Sequence, residues 1–276
     1  MADQTAPHRG HTLAPNLAIR SVRYLAKVAA ITGMDMRKLR HDPTELLTRA
    51  IQPMLWLLVF GQVFARAHSI PTGGIDYIAF LVPGILAQSV LFVAIFNGIS
   101  VIWERDLGIV HKFLASPTPR TALVLGKALA SGVRALTQAA IVYGVAVALG
   151  VRLVWTPQAL MGVIALVLLG AALFSTFSLI IACIVKTRER FMGIGQVLTM
   201  PLFFASNAIY PTDIMPPWLR VIAHANPLSY VVDGLRATML VDGVSTLGLP
   251  ADFAFLALGL GVLTWVGGWM YPRLIT

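Results

Sequence analysis

Residues 77–103 read YIAFLVPGILAQSVLFVAIFNGISVIW, without one charged side chain. A helix needs about 20 mostly apolar residues to cross the hydrocarbon core of a bilayer, and this run exceeds that. Similar runs lie on either side of it, at Leu47–Phe64, Leu123–Gly150, Ala159–Val185, Phe191–Tyr210 and Phe253–Tyr271. The whole chain agrees: 57% of its 276 residues are hydrophobic and 12% are charged, where a soluble domain carries about 25% charged residues. The fold class expected is therefore all-α, a polytopic membrane protein with six transmembrane helices over 47–274. Three of the runs are long enough to tilt or protrude. Pro53 and Pro83 interrupt the first two, which neighbouring helices can tolerate by satisfying the freed carbonyls.

Before these runs, residues 1–16 are polar with Pro and Gly and read as a disordered tail. No apolar leader precedes them, so no cleaved signal peptide is expected. Residues 17–41 have helical periodicity. Leu17, Tyr24, Leu25, Val28 and Ile31 form one face and Arg20, Arg23 and Lys27 another, the pattern of an amphipathic interfacial helix resting on membrane lipid. The net charge of +9 is concentrated in a few loops, which points to membrane orientation and not to nucleic acid. Sixteen Lys/Arg fall in 1–49, 104–127, 186–190 and at the C-terminal end, against Arg66, Arg152, Arg220 and Arg236 on the other side. Both termini are then expected in the cytoplasm. Arg134 is read as lying near the cytoplasmic end of its span. Cys183 is the only cysteine, so no disulfide forms within the chain and a small core residue is expected.

Between the second and third runs lies a polar island, residues 104–120, ERDLGIVHKFLASPTPR. Gly108–Leu114 can form a short helix offering Ile109, Val110, Phe113 and Leu114 to a groove in a partner. Pro117 and Pro119 stop it. Residues 211–240 are too polar and Pro-rich to cross a bilayer, yet Trp218–Ala225 and Leu228–Leu240 look helical, with Pro217 and Pro227 suited to first turns. They read as a pair of short helices dipping into or lying on the outer leaflet. Asp233 and Arg236 are spaced to pair across a turn. Ala140, Gly144 and Ala148 form a small-residue stripe read as a contact with another helix of the same chain.

Several chemistries are absent. Gly126–Lys127 lacks the partner glycine of a P-loop, because Thr121 stands there. There is no HExxH and no CxxC, and the six histidines are scattered, so neither a metal site nor catalytic residues are expected. No Asp or Glu lies inside a run, which disfavours an ion-coupled carrier and an intramembrane enzyme. Active transport would then need an outside source of energy, and the island is where it would be delivered.

The basic helix, the island and NAIYPTDIMPPWLRVIAHANPLSYVVDGLR (residues 207–236) together resemble the membrane permease of ABC-2-type ABC exporters. The likeness is greatest to permeases of daunorubicin-type drug exporters and of nodulation-factor exporters. The resemblance implies a permease that dimerises, as a homodimer or with a related chain, and binds two copies of a separate ABC ATPase. It implies no cofactor in this chain, with ATP and Mg held by that partner. It assigns ATPase coupling to Glu104, Arg105, Gly108, Ile109, Lys112, Phe113, Leu114 and Pro117. It assigns an extracellular helical cap to 211–240, including Pro211, Trp218, Asn226, Pro227, Asp233 and Arg236. Candidates for the translocation path are Phe92, Asn97, Met200, Phe203, Phe204 and Asn207. With no span read as charged, an amphipathic or hydrophobic cargo is expected: a drug, a lipid-like molecule or a lipo-oligosaccharide. The alternatives are a polysaccharide or glycolipid exporter and a non-transport membrane scaffold.

Overall fold

The computed structural model describes residues 24–34, 51–67, 70–110, 118–185 and 187–274. Among them the chain is helical, in the order α1 (Tyr24–Met34), α2 (Ile51–Ala67), α3 (Tyr77–Asp106), α4 (Arg120–Ala148), α5 (Pro157–Ile184), α6 (Arg188–Phe204), α7 (Pro217–Ala225), α8 (Pro227–Met239) and α9 (Leu249–Met270). A 3-10 turn, Tyr271–Leu274, continues α9. The tail over 1–16 and the coupling candidates Lys112, Phe113, Leu114 and Pro117 lie outside the described residues.

Local chemistry sets the helix starts. Thr156 accepts the amide of Ala159, and Thr187 accepts that of Arg190. Asn226 accepts the amide of Leu228, with Pro227 in the first turn of α8. These are side-chain caps on amides that have no partner within the helix. α3 ends where Gly108 turns to a φ of 70°, a left-handed backbone that glycine adopts without steric cost.

Among the described residues, four helices are long and apolar enough to cross a membrane: α3, α4, α5 and Leu249–Leu274. Of the two other expected spans, Leu47–Phe64 is described from Ile51 onward and its helix runs on to Ala67, and Phe191–Tyr210 comes out shorter. α2 contains a π-helical stretch, Trp56–Gly61. α6 has 17 residues and stops at Phe204, six residues before the expected end at Tyr210. Its end is closed by side chains. Asn226 Nδ2 donates to the Leu202 carbonyl at 2.7 Å, and the Tyr210 hydroxyl donates to that of Phe204. Ser206 then bends the chain by donating to Phe203 O and accepting from Ala208 N.

α5 is the hub, packing against α3, α4, α8 and α9. α8 is an internal element and not a surface loop. Leu228, Val231, Val232, Leu235 and Met239 are fully buried, which accounts for the apolar character of that segment. The approach is close: a methyl group placed on Gly234 would lie 2.9 Å from Leu166. α2 and α6 flank α3 and keep one apolar face outward. So does α9, through Leu258, Val262, Trp265 and Trp269, as expected of surface that meets lipid.

A second apolar cluster closes one end of the bundle. It joins Ile31 of α1, Ile102 of α3, Val110 of the island, Leu123 of α4, Phe191 of α6 and Tyr271 at the chain end. α1 rests there on protein: Val28 and Ile31 are buried, and Thr32 donates to the Gly126 carbonyl at 3.0 Å. Leu25, read as part of the same face, is 63% exposed. The small-residue stripe corrects another expectation. Ala140, Gly144 and Ala148 face outward, and nothing lies within 4 Å of a methyl group placed on Gly144. α4 approaches its neighbour at Gly132 instead, against Leu168.

Candidate functional site

A cavity of about 840 Å³ opens between α2, α3 and α4. Its apolar wall is Phe92, Val93, Phe96, Ile99 and Trp103, and its polar wall is Gln88, Ser89, Asn97, Ser100, Gln138 and Arg134. Phe92 and Phe96, one helical turn apart on α3, stack with centroids 6.0 Å apart. Polar side chains on the α3 face that meets α4 and α5 make a short relay across three helices. Arg134 Nη1 donates to Asn97 Oδ1 at 2.5 Å, and Asn97 Nδ2 donates to Ser175 Oγ at 3.2 Å. Ser178 of α5 donates to the Ile95 carbonyl, beside Gly98. At Gly98 a methyl group would sit 2.2 Å from Ser178 Oγ and 2.5 Å from Phe191. Only glycine allows that three-helix crossing.

Arg134 is not near a span end. It lies halfway along α4, which runs from Arg120 to Ala148, so a charge does stand inside a span. Any ionisable side chain at membrane depth is costly and marks a functional candidate. The sequence carried that signal, since Arg134 lies well within the apolar run 123–150.

At the closed end of the bundle, Glu104 of α3 forms an ion pair with Lys127 of α4. Both side chains are buried, at 7% and 4% exposure. The pair spans the island: the helix entering it and the helix leaving it are tied together. Beside it, Asp106 accepts from Arg105 at 2.9 Å and from Arg188 at 2.8 Å, and Arg188 lies 3.6 Å over the Trp103 ring. This links the start of the island to the first turn of α6. Lys127, Asp106 and Arg188 were not singled out in the sequence, because their partners are 23 and 82 residues away.

The coupling candidates therefore divide. Glu104 is buried in the ion pair and also lines the cavity, as does Ile109. Arg105 is committed to Asp106, and Gly108 forms the turn. The path candidates are not brought together. Phe92 and Asn97 line the cavity, Met200 and Phe204 are exposed on α6, and Phe203 is buried against Trp56. Asn207 is buried, and its carbonyl accepts from Arg236 at 2.9 Å.

In the 211–240 segment, Pro211 precedes a 3-10 turn and Trp218 is 65% exposed on α7. Asp233 and Arg236 do not pair across a turn. Arg236 lies 3.9 Å over the Phe80 ring while bonded to Asn207. Asp233 Oδ2 accepts from Thr246 N at 2.7 Å, Thr246 Oγ1 at 2.9 Å and Ser245 Oγ at 3.0 Å. Each charge is spent on holding a different loop to α8. The loop before α5 joins them, with Val154 N donating to Met239 O and a single antiparallel bridge from Leu153 to Leu240.

The chain matches the ABC-2 type transporter family over residues 27–240. It is 29% identical over 221 residues to the ycf38 transport permease of Cyanophora paradoxa, covering 79% of this chain and 76% of that protein. It is 26% identical over 256 residues to the daunorubicin resistance ABC transporter permease protein DrrB1 of Streptomyces coeruleorubidus, covering 87% and 88%. It is 24% identical over 217 residues to the inner membrane transport permease YadH of Escherichia coli K12, covering 76% and 80%. Members of this family are transmembrane subunits that work with ABC ATPases. With its apolar helices and this match over most of its length, the chain is a membrane transport permease belonging to the ABC-2 type transporter family.

Proposed function

We propose that this chain is half of the membrane core of an ATP-driven exporter. It dimerises with a second permease copy, and two separate ATPase subunits, which hold the ATP and Mg, drive it. α2 and α6 complete six spans, with both termini on the cytoplasmic side of a bacterial inner membrane. The observation that carries this reading is the closed end of the bundle. α1, the island, the α5–α6 connection and the chain end, the segments that the Lys and Arg distribution assigns to the cytoplasmic side, all meet there through one apolar cluster and the Asp106–Arg188 pair. A partner pressing on the island would act on α3 and α4 together, because Glu104 and Lys127 lock them. The segment around α7 and α8 lies at the other end and caps the outer side. The cargo is amphipathic or hydrophobic and leaves the cytoplasm or inner leaflet.

The test is co-reconstitution of the chain with its ATPase in vesicles. Phe113→Asp combined with Leu114→Asp should leave insertion intact and abolish stimulation of ATP hydrolysis by cargo. Normal coupled export by that variant would remove the coupling assignment. No stimulation of any ATPase by the unaltered chain would favour a scaffold.

A further inference from the structure

We propose that the cavity between α2, α3 and α4 binds an amphipathic anion, with its acidic headgroup on Arg134 and its apolar part along Phe92, Phe96 and Trp103; this specifies the cargo within the exporter reading and rests on it. Arg134 is the fifteenth of the 29 residues of α4, about 21 Å from its first residue at about 1.5 Å rise per residue. A guanidinium carries five N–H donors in a planar fork suited to carboxylate and phosphate. Among the described residues, Arg134 donates one hydrogen bond, to the neutral Asn97 Oδ1, and no carboxylate pairs with it. The Asn97 amide is itself oriented by Ser175, so this contact aims the guanidinium and leaves its charge uncompensated.

Among the described residues, the other charged group in the wall is Glu104, and Lys127 neutralises it. The described lining therefore carries one unanswered positive charge. A cationic cargo would be repelled by Arg134 and would find no free carboxylate among these residues. A neutral hydrocarbon would leave the Arg134 charge uncompensated beside an apolar body. A molecule with an acidic head and an apolar body answers both walls. At about 840 Å³ the space is within the roughly 300–1,000 Å³ of ordinary ligand sites. A lipid headgroup and a free phosphate offer the same oxygens to Arg134, and competition between them separates the two.

The site can be tested by binding alone. The purified full-length chain in a neutral maltoside detergent is titrated with phosphatidylglycerol or phosphatidylcholine carrying brominated acyl chains, and quenching of tryptophan fluorescence is followed. Phosphatidylglycerol should quench at a lower mole fraction, through a component lost in Trp103→Phe. Arg134→Gln should weaken that binding by about tenfold or more, the loss expected for a charge-assisted bond, while Arg134→Lys keeps a preference for the acidic lipid. Ser100→Asp, which adds a carboxylate to the wall and leaves Arg134 in place, should erase the preference; it serves if Arg134→Gln does not fold. Equal quenching by the two lipids, or an unchanged preference in folded Arg134→Gln or Ser100→Asp, overturns the proposal. Displacement by inorganic phosphate as effective as by unbrominated phosphatidylglycerol overturns the lipid-like occupant. The readout needs no ATPase. Binding without stimulation of a partner would refute export and leave the site standing, and export without this binding would refute the site alone.

Discussion

Removing Glu104 from the Glu104–Lys127 pair strands Lys127 in the interior. Both side chains are more than nine-tenths buried, so water screens their interaction little. Deleting one partner of a buried ion pair costs about 3–5 kcal/mol, because the surviving charge has lost its compensation. That is more than about a hundredfold in the ratio of folded to unfolded protein. Replacing both members with uncharged residues of similar size removes the stranded charge and is often neutral. Glu104→Gln is therefore expected to destabilise by about 3 kcal/mol or more, Lys127→Met by somewhat less, because Glu104 keeps a further partner, and the double variant by clearly less than their sum. The assay is equilibrium unfolding in mixed micelles of neutral detergent and dodecyl sulfate, followed by circular dichroism. Single variants that cost under about 1 kcal/mol, or strict additivity, would refute the buried-pair argument. The double variant carries further information. If it regains stability but no longer couples ATP hydrolysis to export, the pair transmits motion as well as pinning the helices.

Asp106→Asn tests the neighbouring cluster. With side chains 35–36% exposed at the Asp106–Arg188 bridge, the stability cost should stay under about 1 kcal/mol, while ATPase stimulation in vesicles falls more than stability does. Gly98→Ala should destabilise by about 1–3 kcal/mol in the same unfolding assay, since the added methyl overlaps Ser178 and Phe191; a neutral outcome would contradict the three-helix crossing. Asn226→Ala removes the α8 cap and the partner of the Leu202 carbonyl together, which should cost about 2–3 kcal/mol. Cysteines placed at His41 and His111 should be labelled by a membrane-impermeant reagent only from the cytoplasm, and one at Asp213 only from outside.

Apolar length was the most legible property of the sequence, because burial in lipid demands it continuously along a helix. α3, α4, α5 and α9 follow directly. The end of α6 did not, since its termination depends on Asn226 and Tyr210 donating to the Leu202 and Phe204 carbonyls, a closure with no periodic signature. Glu104 was visible as a boundary charge, but its partner Lys127 lies on another helix, and pairing between helices has no periodic signature. The Ala140–Gly144–Ala148 stripe shows the converse: spacing says that a helix can approach, not that one does. Asp233 and Arg236 had the right spacing to pair, yet loop amides and an aromatic face competed better for each. Arg134 was legible all along as a charge inside an apolar run. What the sequence could not supply was the cavity around it, which only the packing of α2, α3 and α4 creates.

α8 also carries a consequence for the order in which the protein is built. It has 13 residues, too few to cross a bilayer and be inserted as a span of its own. Its buried carboxylate, Asp233, takes its partners from Ser245, Thr246 and Leu247, which leave the ribosome after α8 does. α8 therefore cannot complete its anchoring between α3 and α5 until Leu247 has emerged. Its docking is a late step of assembly, and a chain cut short before Ser245 loses the anchors of α8 along with its last helix.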